Sequence, residues 1–236
     1  MKTVREFSDA KTSGHKIAMV TAYDAASARL IAETAVDCVL VGDSVMMVVH
    51  GKDNTRGATP ELMARHTQEV SEGRSGKFVI ADMPYQSVQQ GTAFALECAH
   101  SLIGAGADAV KIEGVRGHED VIQHLVKSGI PVMGHLGLLP QSVHSPDDYK
   151  VQAKTPADAQ ALREDVATLE RCGVFALVLE CIPTQLATEV SAAATVPTIG
   201  IGAGAGCDGQ VLVWHDLLGL NPDFEARFVR HFAQDG

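Results

Sequence analysis

A chain of 236 residues with 46% hydrophobic and 20% charged residues has the balance of an ordinary globular protein, and its mean hydropathy of +0.07 excludes a disordered or fibrous character. Against 29 acidic residues stand only 19 basic ones, a net charge of −10 that argues against a surface built to hold nucleic acid or an anionic membrane. No apolar run approaches the ~20 residues of a bilayer span, the first residues carry no apolar leader, and five dispersed cysteines (Cys38, Cys98, Cys172, Cys181, Cys207) form no Cys-x-x-Cys pair. This pattern reads as a reduced, cytoplasmic protein. With no Ser/Pro-rich stretch or charge run to divide it, the chain reads as one domain over residues 1–236.

In chain order, short apolar runs rich in β-branched residues occupy residues 17–21, 38–42, 78–81, 109–112, 131–134, 176–179, 198–201 and 211–213. Their unbroken hydrophobicity suits parallel strands covered on both faces. Helical periodicity fills residues 25–34, 61–72, 93–103, 118–126, 157–171 and 184–193 between them. Thr59-Pro60 and Thr155-Pro156 each offer a capping hydroxyl followed by proline at the first helical position, and Gly73, Gly104 and Gly173 read as helix stops. Strands alternating with helices in this way predict an α/β fold, a (β/α)8 TIM-type barrel, because closure removes the edges that the alternative, an open doubly wound sheet, would expose. Only residues 202–210 separate the last two strands, too few for a crossover helix, so the barrel is expected to be irregular between strands 7 and 8.

A parallel barrel gathers its chemistry at the carboxyl ends of its strands. Those ends read Tyr23-Asp24, Asp43-Ser44, Asp82, Lys111 with Glu113, His135, Glu180, the glycines of Gly200-Ile-Gly-Ala-Gly204, and His215-Asp216. One acid at one strand end is usually a helix cap or half of an ion pair; ionisable groups at nearly every end favour a shared site. Lys111 and Glu113, two apart in a strand, point to the same side. Several buried carboxylates need compensating positive charge. Lys111 supplies one, and oxygen-only ligands favour magnesium over zinc for another. The run Gly200-x-Gly-x-Gly-x-Gly lacks the Lys-Ser/Thr pair of a phosphate loop and reads as tight backbone passage. Cys38 and Cys181 read as small buried hydrophobes, Met46-Met47 as loop packing, and His66, His118, His124 and His231 as surface or interface histidines.

Taken together, the strand-end segments resemble the ketopantoate hydroxymethyltransferase family. The matching pieces are Thr21-Ala-Tyr-Asp24, Val41-Gly-Asp-Ser44, Ala81-Asp-Met-Pro84, Val110-Lys-Ile-Glu-Gly114, Gly134-His-Leu-Gly137 with Pro140-Gln-Ser142, Tyr149-Lys-Val-Gln152, Leu179-Glu-Cys181, and Gly200-Ile-Gly-Ala-Gly204 with Asp208-Gly-Gln210. The resemblance implies a (β/α)8 barrel that transfers a hydroxymethyl group from methylene-tetrahydrofolate to 3-methyl-2-oxobutanoate, giving 2-dehydropantoate for pantothenate synthesis through a magnesium-stabilised enolate. It implies that Asp43 and Asp82 hold magnesium, with Glu113 a further ligand, direct or through water. Asp43, Ser44, Asp82 and Lys111 would bind the 2-oxo acid, Glu180 would be the general base, and His135 belongs to the catalytic segment. It also implies a homo-oligomer, decameric in the family.

Two other readings stand beside it. A related barrel of the phosphoenolpyruvate mutase and isocitrate lyase type would carry a Lys-Cys-Gly loop, which is not seen here, and a 2-oxo acid binding barrel would lack turnover. The chain departs from the family pattern in four places. Val45-Met46-Met47 lacks a glycine, Gly57 stands for a proline, Asp147-Asp148 replace two glycines, and Ala153 replaces another. The first two predict a stretch over residues 45–59 that is stiffened at Met46 and loosened at Gly57.

Overall fold

The computed structural model describes residues 1–143, 149–221 and 226–233; Asp147-Asp148 lie outside the described residues. A helix α1 (Val4–Ser13) comes first, followed by β1 (Ile17–Thr21), α2 (Ala25–Ala32), β2 (Cys38–Val41), α3 (Val45–Val48), α4 (Pro60–Gly73), β3 (Phe78–Asp82), α5 (Tyr85–Gln89), α6 (Thr92–Gly104) and β4 (Ala109–Glu113). The second half runs α7 (Glu119–Lys127), β5 (Val132–Gly137), a 3-10 turn (Pro140–Ser142), α8 (Pro156–Cys172), β6 (Ala176–Glu180), α9 (Thr184–Ala193), β7 (Thr198–Ile201), β8 (Gly209–Leu212) and α10 (Trp214–Leu217). Every neighbouring pair of strands is parallel, and β8 returns to pair with β1, so the eight strands close in sequence order. This is the (β/α)8 barrel that the strand pattern predicts, and residues 202–208, which join β7 to β8, carry no helix.

Helix starts follow the expected capping chemistry. Thr59 and Thr155 accept from the backbone N–H of Leu62 and Asp158, with Pro60 and Pro156 opening the helices. Gly173 caps α8 in the left-handed conformation at φ +91°. The helices α4 and α6 stop at Gly73 and Gly104 as expected, each as the last helical residue rather than a left-handed cap. A side chain at Gly73 would collide with the Ala25 carbonyl, so this glycine serves the close approach of α2 to α4. After α6 the left-handed turn falls at Gly106 instead. Met46-Met47 lie in α3, not in an irregular loop.

The period of two divides each strand between two cores. Outward residues such as Val20, Val39, Val79 and Leu177 pack against the helices. Inward residues Ile17, Met19, Leu40, Phe78, Ile80, Met133, Val178 and Ile199 fill the lower barrel, where α1, a helix that the strand census did not anticipate, closes the floor. Phe7 on α1 is fully buried, with its ring 5.2 Å from Phe78 and 5.1 Å from Phe175 in edge-on contacts. Thr3 caps α1 by accepting from Glu6 N, and the amino terminus donates to Asp37 O at 2.7 Å. Phe7→Ala should destabilise the chain by ~3–5 kcal/mol, the range for an emptied aromatic site. Urea unfolding would read this as a lowered midpoint with an unchanged slope; a loss under ~1 kcal/mol would show that the plug is dispensable.

Candidate active site

Along β3, β4, β5 and β6 the inward positions turn from apolar to charged toward the carboxyl ends. Phe78 and Ile80 lead to Asp82, Ala109 leads to Lys111 and Glu113, Met133 leads to His135, and Ala176 and Val178 lead to Glu180. The register sets Asp82 beside Lys111 and Glu113 beside His135, so neighbouring strands bring opposite charges side by side. Asp43 joins from the turn after β2, its backbone N–H donating to Asp82 Oδ2 at 3.0 Å. Asp43, Asp82, Lys111, Glu113 and His135 are all at 9% exposure or less, and together with Ser44 and the half-buried Glu180 they line a cavity of about 870 Å³.

The electrostatics follow from burial. Lys111 Nζ is 3.0 Å from Asp82 Oδ1 and 3.9 Å from Glu113 Oε1. Burial alone would lower its pKa, but Asp82, Glu113 and Asp43 outweigh that and hold it well above the usual lysine range. Desolvation pushes both Asp43 and Asp82 up; at Asp43 the neighbouring acids add to the effect, and at Asp82 the ammonium of Lys111 opposes it. At His135, burial and Lys111 push the imidazole down, yet Glu113 and Glu180 prevail and raise it to about 9. Its Nδ1 lies 3.4 Å from Glu113 Oε1 and its Nε2 lies 3.1 Å from Glu180 Oε2. The ring therefore stands between the two acids, with Lys111 Nζ also 3.2 Å from Nδ1.

Gln141, which strand-end reasoning did not single out, organises the acids from above. Its side-chain amide donates to Asp43 Oδ2 at 2.8 Å and to Met83 O at 3.0 Å, while its backbone N–H donates to Glu113 Oε2 at 3.0 Å. The signal was present in the segment Pro140-Gln-Ser142, but nothing local said that a 3-10 turn would deliver it to another strand's acid. Tyr23 and Ser44 share a hydrogen bond of 2.8 Å. Tyr149 and Thr55 also line the cavity, and Thr55 Oγ1 is buried with no partner among the described residues.

The donor set suits a small hard cation. Four carboxylates (Asp43, Asp82, Glu113, Glu180) outnumber the two basic groups, Lys111 and His135, and Asp82 Oδ1 is buried with no well-directed hydrogen bond among the described residues. Among the described residues no three His, Cys, Asp or Glu side chains converge as a ready-made ligand group. Magnesium needs no such cage, since one or two carboxylates completed by substrate oxygens and water are its usual setting. Asp43 and Asp82 meet that description. Both Glu113 oxygens already face Gln141, His135 and Lys111, so it would meet a cation only through water.

Other expectations are sorted by the same geometry. His124 and His231 are exposed, but His66 is buried on the inner face of α4, a correction. It donates from Nδ1 to Tyr23 O at 2.6 Å, leaving Nε2 to accept from His50 Nε2 at 3.0 Å. Cys38 is buried as expected, whereas Cys181 is half-buried in the cavity wall at φ +48°, and burial lifts its thiol to about 12. The glycine run is tight passage: side chains at Gly204 and Gly206 would run into Thr184 and Thr188 of α9. The two departures within residues 45–59 are partners rather than opposed flexibilities, because a side chain at Gly57 would stand 3.1 Å from the methyl of buried Met46. Ala153 keeps a positive φ of +53°, the conformation a glycine adopts freely.

Comparison with known proteins identifies the family. The sequence profile of the family described as ketopantoate hydroxymethyltransferase matches residues 1–236. The 3-methyl-2-oxobutanoate hydroxymethyltransferase of Bdellovibrio bacteriovorus is 46% identical over 232 residues, covering 98% of this chain and 88% of that protein. That of Legionella pneumophila is 48% identical over 230 residues, covering 97% and 88%. The chain belongs to the ketopantoate hydroxymethyltransferase family. Among solved structures, phosphonopyruvate hydrolase in complex with oxalate and Mg++ superposes at a TM-score of 0.71 with 10% identity, covering 94% of this chain and 84% of that one. A 2,3-dimethylmalate lyase of the PEP mutase/isocitrate lyase superfamily superposes at 0.64 with 15% identity, covering 94% and 84%. At that identity they share the fold alone.

The buried charges set the pH dependence of stability. His135 binds its proton more tightly folded, at about 9, than at its ordinary 6.5, so its contribution is fully present below 6.5 and is lost as pH rises through 9. The raised Asp43 and Asp82 act in the same direction at their own pKa values, while the lowered Glu113 matters only as pH falls into the carboxylate range. Metal-free protein should therefore lose ~1–3 kcal/mol between pH 6.5 and 9 in urea unfolding. A midpoint that is flat or rising across this window would mean that His135 is buried neutral.

Proposed function

We propose that this member of the ketopantoate hydroxymethyltransferase family transfers a one-carbon unit from methylene-tetrahydrofolate to 3-methyl-2-oxobutanoate, giving 2-dehydropantoate and tetrahydrofolate with uptake of one water. The observation that carries this reading is the buried acid pair Asp43 and Asp82 at the strand ends, in a chain 45–48% identical to proteins of that name. Asp43 and Asp82 would hold magnesium, with Glu113 behind them through water. When bound, the metal supplies Lewis-acid charge to the keto and carboxylate oxygens of the 2-oxo acid.

The chain's own groups do the rest. Lys111, kept charged by its acid neighbours, offsets the substrate carboxylate, and Ser44, tied to Tyr23, is poised to donate to it. Glu180 takes the proton from C3; water frees the one-carbon unit from the folate nitrogens as formaldehyde, leaving tetrahydrofolate, and the C3 carbon adds to its carbonyl to give the hydroxymethyl group. His135 orients Glu180 from Nε2 while Glu113 holds the other face of the ring. The reading takes residues 1–236 as one catalytic domain that works as a homo-oligomer in the cytoplasm. Five free thiols support a reducing setting, and among the described residues no helix is long and apolar enough to cross a membrane.

Asp43→Ala or Asp82→Ala should abolish magnesium binding in calorimetry while leaving the circular dichroism of the fold intact, since each removes a ligand rather than a core contact. Undiminished magnesium affinity in either variant removes that residue from the metal site. Glu180→Gln keeps the shape but cannot accept a proton. It should bind the 2-oxo acid yet lose C3 deuterium exchange in heavy water by ~100-fold or more; wild-type exchange would place the base elsewhere. Product formation from the two substrates, with and without magnesium, tests the reaction itself.

A further inference from the structure

The cavity of about 870 Å³ is larger than a five-carbon oxo acid requires and extends from the charged cluster to the ends of β6, β7 and β8. Ile201, Val213 and Phe228 give that side an apolar wall. Residues 202–208 between β7 and β8 carry no helix, and the Phe228 ring packs against Gly202. Glu180, at the end of β6 next to β7, lines the same cavity.

Asp216 on α10 is set into the wall at 8% exposure. Asn221 donates to its Oδ1 at 3.1 Å, and among the described residues no donor reaches Oδ2. The adjacent His215 has a buried Nδ1 with no partner among the described residues, and its ring packs 5.6 Å from that of Tyr23. Burial pushes the Asp216 carboxyl up, a penalty that incoming donors would offset. Nothing in the proton abstraction or metal holding described above uses this carboxylate.

We propose that Asp216 is the recognition residue for the pterin ring of the folate co-substrate, an assignment that rests on the reaction read above. The 2-amino group and the neighbouring ring N–H of a pterin form two parallel donors that match a carboxylate fork. The apolar wall covers the faces of the ring, and the one-carbon unit is delivered on the side of the site where Glu180 works. Asn221 keeps the fork in place by holding one oxygen.

The chain's single tryptophan, Trp214, lies two residues from Asp216 and provides the readout. Tetrahydrofolate should quench its fluorescence, and Asp216→Asn should weaken that binding by ~10- to 100-fold, as for a lost charged hydrogen-bond pair. On the unaltered protein, a tetrahydrofolate analogue lacking the 2-amino group should also bind at least ~10-fold more weakly, a test that needs no folded variant. In Asp216→Asn, the ratio of product formation to folate-free C3 exchange should fall by at least ~10-fold. The assignment is overturned if the protein does not bind tetrahydrofolate, if the analogue binds equally well, or if exchange and product formation fall together. If tetrahydrofolate binds in an Asp216-dependent way while no product forms, the reading of the reaction fails and the pterin site stands.

Discussion

A single buried ammonium sets the terms for everything at the barrel mouth. Three carboxylates within a few ångströms of one another could not remain ionised away from water without it. Lys111 answers Asp82 at 3.0 Å and Glu113 at 3.9 Å from one strand, and the acids in turn hold it charged. The mutual dependence makes the cluster both rigid and unfinished. Asp82 Oδ1 stays without a well-directed hydrogen bond among the described residues, which is where the proposed divalent cation would be held.

That cluster exists because of strand register. Closing eight parallel strands fixes which residues stand side by side, and in this barrel the pairing of Asp82 with Lys111 and of Glu113 with His135 is part of the ladder itself. A slip of one residue would turn these groups to the helix layer. The apolar floor under them, sealed by Phe7, resists such a slip, since Ile80, Met133 and Val178 would be displaced as well. Function and stability are thus read from alternate levels of the same inward faces.

Of the substitutions that separate this chain from its family's pattern, Met46 and Gly57 pack against each other. Met46 occupies the room that Gly57 leaves, so the segment over the cavity is altered in shape with no gain of freedom at that contact. Ala153 instead retains a backbone that suits glycine and carries the resulting strain in the stretch that follows Tyr149. A positive φ recurs at Cys181, immediately after Glu180, where the peptide is held by Ile201 O and by Gln152 N. The local backbone around Glu180 is therefore over-determined by its neighbours, which suits the role proposed for it.

The amino-acid sequence by itself determined the eight strands, the alternation with helices and the polar character of the strand ends, because the hydrophobic period and the proline and threonine caps act within a few residues. It also exposed Asp43, Asp82, Lys111, Glu113, His135 and Glu180 as candidates, each ending an apolar run. It did not reveal α1 as the floor of the barrel, the burial of His66, or the part played by Gln141. Those depend on which surfaces meet across 28, 43 and 98 residues of chain: Gln141 reaches Glu113, His66 reaches Tyr23, and Gln141 reaches Asp43. Only the closed barrel decided these contacts, since a hydrogen bond between groups far apart in sequence is formed once tertiary packing has excluded water from both.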